Sequence, residues 1–126
     1  MFQNVLHVAL GGAVGAALRY LTGFGMFRLL GPQDFPLAII TVNVLGSFLM
    51  GVFAATAARH GLTHLAPLVM TGLLGGFTTF SAFSLETLTL LERGQTGQAM
   101  AYVAVSVCGS ISALALGFWV VRGLSA

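Results

Sequence analysis

The residues of this chain that could do chemistry are few, and they lie inside apolar sequence. Asn43 sits in the run TVNVLGSFLMG (41–51), with Ser47 one turn on. Phe80 and Phe83 stand three apart in GLLGGFTTFSAFSLE (72–86), with Ser84 and Thr87 on the same helical face, and Tyr102, Ser106 and Ser110 recur at four-residue intervals. An amide offers two donors, a hydroxyl both donates and accepts, and an aromatic ring has a negative face and a positive edge. Rows of such groups could carry a small anion or water along a helix face. Each also has a plainer reading. Asn43 could join two helices, serines in membrane helices bond back to their own carbonyls, and phenylalanines at helical spacing pack.

Arg19 and Glu86 are the costly additions. A charge at the centre of a membrane helix costs about 2.5 to 3.5 kcal/mol on insertion scales, so it faces a bundle interior, a partner or water. Arg19 lies late in its apolar stretch, where its stem could snorkel to the interface or its guanidinium could concentrate anions at a vestibule. Glu86 could line a pore mouth, act as a proton-linked carboxylate or pair with an arginine.

Enzymatic chemistry is not indicated. His7, His60 and His64 have no cysteine or carboxylate cluster nearby, and no nucleophile has a base and an orienting partner. Cys108 is the only cysteine, which leaves it a packing role rather than a disulfide or a metal site.

The elements that must position these groups follow from composition. Of 126 residues 57% are hydrophobic and 6% charged, against about 25% charged in an ordinary soluble domain. A membrane helix needs about 20 mostly apolar residues, and four such stretches can be drawn, at 5–27, 36–58, 65–91 and 97–121. They use nearly all of 1–126, which reads as one all-α, four-helix transmembrane domain. The first stretch lacks the basic leader of a cleaved signal and reads as a retained helix. Five arginines spread singly make no basic patch, so nucleic acid is not an expected partner.

Small residues recur at i, i+4, as in Gly11 and Gly15, Gly12 and Ala16, Ser47 and Gly51, Gly72 and Gly76, Ser106 and Ser110, and Ala113 and Gly117. Such spacing lets membrane helices approach closely. In the third stretch Gly75-Gly76 precedes Phe77 and the β-branched pair Thr78-Thr79, which predicts a helix broken near its middle. Backbone freed there must meet protein, a cavity or an ion. The competing reading is a continuous helix whose glycines only admit a neighbour.

Arginines near span ends number two on each side, Arg59 and Arg122 against Arg28 and Arg93. The positive-inside rule then assigns no orientation. Insertion both ways up, with assembly into an antiparallel dimer, is one expectation; the other is that Arg19 or the insertion context tips the balance.

Three ordered motifs, GGAVGAALR (11–19), TVNVLGSFLMG (41–51) and the 72–86 run, closely resemble the signatures of the Fluc (CrcB) fluoride channels. The resemblance spans essentially the whole chain. It implies a passive fluoride-selective channel in a microbial plasma membrane, built as an antiparallel dual-topology homodimer with two pores, that lets accumulated fluoride leave. It further implies that Asn43, Phe80 and Phe83 line the pore. Ser81, Tyr102, Ser106, Ser110 and Glu86 then form its polar approach, and Arg19 stands near the vestibule. The carbonyls of Gly75 and Thr78, from both subunits, would hold a structural sodium ion. Two positions depart from the pattern: Ile39 and Ala82 each stand where a threonine is common. Thr41 or Ser81 would then compensate, unless the missing hydroxyls were never needed. Two other functions fit less well. A small multidrug-type exporter needs a carboxylate in the first span, which is absent here, and a mere scaffold leaves the Asn43, phenylalanine and hydroxyl set unexplained.

Overall fold

The computed structural model describes residues 1–124 and contains four helical spans long and apolar enough to cross a membrane. The first is α1 (Phe2–Leu30) and the second α2 (Leu37–His60). The third, Thr63–Glu92, is composite. It opens with a 3-10 turn (Thr63–Leu65), continues as a π-helical stretch (Pro67–Leu74) and one α-turn, α3 (Gly75–Phe77), then resumes as α4 (Phe80–Glu92). The fourth is α5 (Thr96–Leu124). Most span ends run one to three residues beyond the apolar stretch that marks them, because terminal turns carry polar residues such as Gln3, Arg59 and Arg122, while α2 starts one residue later, after Pro36.

Glycines end these helices. Gly31, Gly61 and Gly94 have φ of 76°, 68° and 75°, a region that side chains with a Cβ avoid. The connections are short, so consecutive spans run antiparallel. Many large apolar side chains on the outer faces are exposed, among them Leu10, Leu18, Leu21, Val105, Ile111 and Leu116. An apolar outer surface of this kind suits a bilayer.

Two close crossings organise the bundle. At the first, α1 lies backbone to backbone on the first half of the third span. A Cβ on Gly72 would come 3.1 Å from the Gly11 Cα, and one on Gly76 would come 2.7 Å from the Gly12 carbonyl oxygen. At the second, Gly51 of α2 faces the Leu114 carbonyl of α5, while Gly117 faces that of Phe48. The small-residue spacing is therefore a packing code at these positions. Ser106 and Ser110 do not join it; they line a cleft instead.

The third span is broken, and the break is not at its glycines. Thr78 (φ −86°, ψ 158°) and Thr79 (φ −153°, ψ 115°) are extended, whereas Gly75 is helical. Gly72 and Gly76 admit α1, and the β-branched pair interrupts the helix. The helix is therefore broken as expected and not continuous, although Gly72 and Gly76 do admit a neighbour as the competing reading supposed.

Candidate functional site

Thr79 restarts the helix. Its Oγ1 accepts from the Ala82 amide at 3.1 Å, capping the first turn of α4. Asn43, reaching across from α2, holds the same residue by its backbone. The Thr79 N–H donates to Asn43 Oδ1 at 2.7 Å, and Asn43 Nδ2 donates to the Thr79 carbonyl at 3.1 Å. The side-chain amide stands in for a neighbouring peptide and satisfies both polar groups of a buried, non-helical residue. One Nδ2 hydrogen is used in this pair; an amide nitrogen carries a second.

Arg19 secures the other side of the break. Its Nε donates to the Gly76 carbonyl at 3.1 Å, at the carbonyl end of the half-helix, where backbone dipoles leave partial negative charge. The guanidinium is therefore bound to backbone rather than simply extended to the interface. The Leu74 carbonyl accepts from the Thr78 N–H at 3.0 Å and from its Oγ1 at 2.9 Å. Carbonyls of Leu74, Gly76 and Thr79 are thus engaged. Those of Gly75 and Thr78 accept no hydrogen bond among the described residues. Uncommitted carbonyl oxygens at a helix break are the donor type that suits an alkali cation. No cluster of His, Cys, Asp or Glu among the described residues offers an alternative metal site.

Beside the break a cleft of about 310 Å³ lies between α2, α4 and α5. Asn43, Ser47, Thr78, Phe80, Phe83, Ser106 and Ser110 are among its walls, and no charged side chain lines it. The structure thus brings together five of the residues expected along the anion pathway, namely Asn43, Phe80, Phe83, Ser106 and Ser110. Phe83 is buried and Phe80 is 76% exposed, with ring centroids 5.3 Å apart. Tyr102 stands behind them, its ring 5.2 Å from that of Phe83 and 5.7 Å from Phe35. Tyr102, Phe83, Leu90 and Ala99 form the buried core, with Ile39 packed against it.

Hydroxyls divide into two groups. Those of Thr22, Thr41, Thr56, Ser84, Thr87 and Thr89 each donate to the carbonyl four residues back, which settles them within their own helices. The Ser106 Oγ and the Tyr102 hydroxyl are buried and have no hydrogen-bond partner among the described residues. Ser106 also lines the cleft. A buried hydroxyl without a partner calls for water or an ion. Thr41, spent on the Leu37 carbonyl, does not supply the hydroxyl missing at Ile39. Ser81 lies 3.2 Å from the Thr79 hydroxyl and so belongs to the restart of α4.

Glu86 is placed elsewhere. It borders a second cleft, of about 270 Å³, formed by the end of α1, the 31–36 connection and the start of α2, with Phe27, Gln33, Phe35 and Ile39 among its walls. It makes no ion pair among the described residues. Sequence reading placed Thr79 at the break but did not foresee that it caps α4 or meets Asn43. A threonine three residues ahead of a helical position signals a cap, but Ala82 in place of Glu or Gln conceals the capping box.

These helices make a multi-pass membrane protein, and comparison with known proteins agrees. The family model described as CrcB-like protein, Camphor Resistance (CrcB), matches residues 6–118. The protein named Fluoride-specific ion channel FluC in Ruegeria sp. strain TM1040 is 60% identical over 124 residues, covering 98% of either chain. The protein of that name in Roseobacter denitrificans is 60% identical over 123 residues, 97% of this chain and 98% of its own. That of Paracoccus denitrificans is 49% identical over 126 residues, the full length of both. Because the matched region contains Arg19, the Asn43 clamp and the broken third span, and the relatives cover the chain throughout, this protein belongs to the CrcB family.

Proposed function

We propose that this chain is a passive, fluoride-selective channel of the bacterial plasma membrane that lets fluoride leave the cell. The observation that carries the reading is the Ser106 hydroxyl, buried and without a partner, on a cleft wall shared with Asn43, Phe80 and Phe83. Hydroxyl and amide hydrogens replace part of an anion's hydration, and the positive edges of two rings add to them. With no fixed charge in the lining, binding stays weak enough for the ion to leave, as conduction requires. That the relatives above are named fluoride-specific channels supports the choice of ion.

The working unit is an antiparallel, dual-topology homodimer with two pores. Phe80, 76% exposed beside the cleft, and the equal arginine counts at the two ends support it. The open carbonyls of Gly75 and Thr78 fit a structural sodium ion shared by two copies, since one chain supplies too few oxygens to enclose a cation. When bound, sodium would neutralise the two facing carbonyl ends. Arg19 and Asn43 hold the flanking backbone in place, Ser110 extends the polar wall of the cleft, Ser81 and Tyr102 support it from behind, and Glu86 would serve the approach only from its separate cleft.

The test is the purified protein in liposomes with a fluoride electrode. Rapid fluoride release without matching chloride release is the expected result; release no faster than from empty liposomes rejects the proposal. Reporter fusions at the C-terminus address topology, and a reporter found on one side only rejects dual orientation.

A further inference from the structure

The cleft that holds Glu86 is opposite in chemistry to the one beside the helix break. Hydroxyls and an amide line the latter, with no charge. The Glu86 cleft, of about 270 Å³, is mostly apolar, with Phe27, Phe35, Leu37 and Ile39 among its walls. Glu86 is its one charged side chain and Gln33 its one amide. Both present acceptors. An ionised carboxylate can only accept, and Gln33 has turned its Nε2 to the Leu30 carbonyl at 3.0 Å, which leaves its Oε1 with no hydrogen bond among the described residues. Two backbone donors are also spent, the Gly31 N–H on the Phe27 carbonyl and the Leu37 N–H on that of Phe35, each at 2.8 Å.

Nothing around the cleft neutralises this carboxylate. The carbonyl end of α1 and the amide end of α2 both border it, and their partial charges, about half a unit each and of opposite sign, offset one another. No arginine lines the cleft. Arg28, near the end of α1, instead lies over the Phe24 ring, its guanidinium carbon 5.7 Å from the centroid. Glu86 is half-buried and makes no ion pair among the described residues. Beside apolar walls its attraction for a positive charge is screened less than in open water.

We infer that the Glu86 cleft binds a small hydrophobic primary ammonium ion, with the charged head on the Glu86 carboxylate, the Gln33 Oε1 as a second acceptor, and the apolar body along Phe27, Phe35 and Ile39. Ammonium N–H groups match an acceptor-rich lining, and a charge-assisted hydrogen bond is the strong kind. Aromatic faces at Phe27 and Phe35 attract a cation as well. A mostly apolar recess with few polar groups is the usual form of a small-molecule site. Anions, fluoride included, meet a carboxylate here, and a purely apolar guest would cover that carboxylate without a counter-charge. A lipid chain and a second copy of the protein are the competing occupants.

The test uses the full chain in uncharged detergent at neutral pH, with cyclohexylmethylamine as the probe and cyclohexylmethanol and cyclohexanecarboxylate as its neutral and anionic counterparts. Bound ligand is measured by equilibrium dialysis against empty micelles. The amine should bind above the micelle baseline, and the alcohol and the carboxylate about tenfold more weakly or less, the factor expected for losing a hydrogen bond to a charged group. Glu86→Gln should weaken the amine by about the same factor and leave the alcohol unchanged, which also reports that the cleft is intact. Glu86→Asp, which keeps the charge, should retain most of the binding. Glu92→Gln, which removes an acid from the same end but outside the cleft, should bind the amine as the native chain does. Equal binding of amine and alcohol marks an apolar recess open to lipid, and equal weakening by Glu92→Gln marks diffuse surface charge. Amine binding that falls as the dimer fraction rises marks a second copy as the occupant. Each of these, or full amine affinity in Glu86→Gln, overturns the inference. The amine and alcohol comparison on the native chain decides it even where Glu86→Gln fails to fold. Fluoride flux enters none of these measurements, so their failure leaves the channel reading intact.

Discussion

Replacing Asn43 by leucine tests whether the amide is chiefly a clamp on the broken helix. Leucine preserves volume and removes both hydrogen bonds, at 2.7 and 3.1 Å, to the Thr79 backbone. Thr79 is only 8% exposed, so its N–H and carbonyl lose their partners where protein offers few substitutes. Leaving one buried polar group unsatisfied costs about 1–3 kcal/mol, or about 2–6 kcal/mol for the two. The low end applies if water reaches Thr79 through the adjoining cleft. At about 1.4 kcal/mol per factor of ten, a 2 kcal/mol loss makes local opening roughly 30-fold more frequent. Amide hydrogen exchange at Thr79 should accelerate by at least that factor in Asn43→Leu, while amides of α5 away from the break stay near their original rates. Asn43→Asp keeps an acceptor for the Thr79 N–H but turns a second oxygen toward the Thr79 carbonyl, so it should fall between the two. If Asn43→Leu abolished fluoride release yet left Thr79 exchange and thermal stability unchanged, the clamp argument would be refuted and Asn43 would act on the ion alone.

Other expectations follow from burial and contact. Phe83→Ala should cost about 3–5 kcal/mol in detergent unfolding because it empties a packed site against Tyr102, whereas the exposed Phe80→Ala should cost about 0.5 kcal/mol or less. Both should cut fluoride release; equal losses of stability would contradict the burial difference. Ser106→Ala removes an unpaired hydroxyl and should leave stability equal or higher by about 1 kcal/mol while lowering release. A stability loss of similar size would mean that the hydroxyl has a structural partner. Gly15→Ala places a Cβ against the Leu73 carbonyl and should destabilise by about 1–3 kcal/mol. Gly23→Ala, with no neighbouring atom within 4 Å, should be neutral or stabilising by up to about 1 kcal/mol. Matching thermal shifts for the two glycine variants would contradict the close crossing of α1 on the third span.

Much of the fold was legible in the one-dimensional pattern. The spans follow from runs of apolar residues closed by Gly31, Gly61 and Gly94, since neither lipid nor a positive-φ glycine leaves the backbone much choice. The break was legible too, from Gly75-Gly76 followed by the β-branched Thr78-Thr79, but not how the work divides between them. Gly75-Gly76 draws the eye because glycine weakens helices, yet tertiary contact with α1 uses Gly72 and Gly76 for approach and leaves the interruption to Thr78-Thr79. The site was partly legible, because amides, hydroxyls and rings are conspicuous in apolar sequence. Their roles were not, because a hydroxyl that bonds back along its helix and one that is orphaned look alike in sequence. Thr41 and Ser106 are such a pair.

What the sequence by itself determined is therefore the class of molecule, namely a chain with too few charges for water, four spans, a weak third helix and a set of polar side chains on particular faces. These are consequences of local composition and helical period. What only the tertiary structure decided is which of those side chains meet. Asn43 closes on Thr79 from 36 residues away, Arg19 on Gly76 from 57, and Glu86 falls to a separate cleft from Phe83 although one helical turn separates them. The reason is that a helix face specifies direction, while the partner on that face depends on how closely neighbouring backbones approach, and that is set by glycine contacts distributed over α1, α2 and α5.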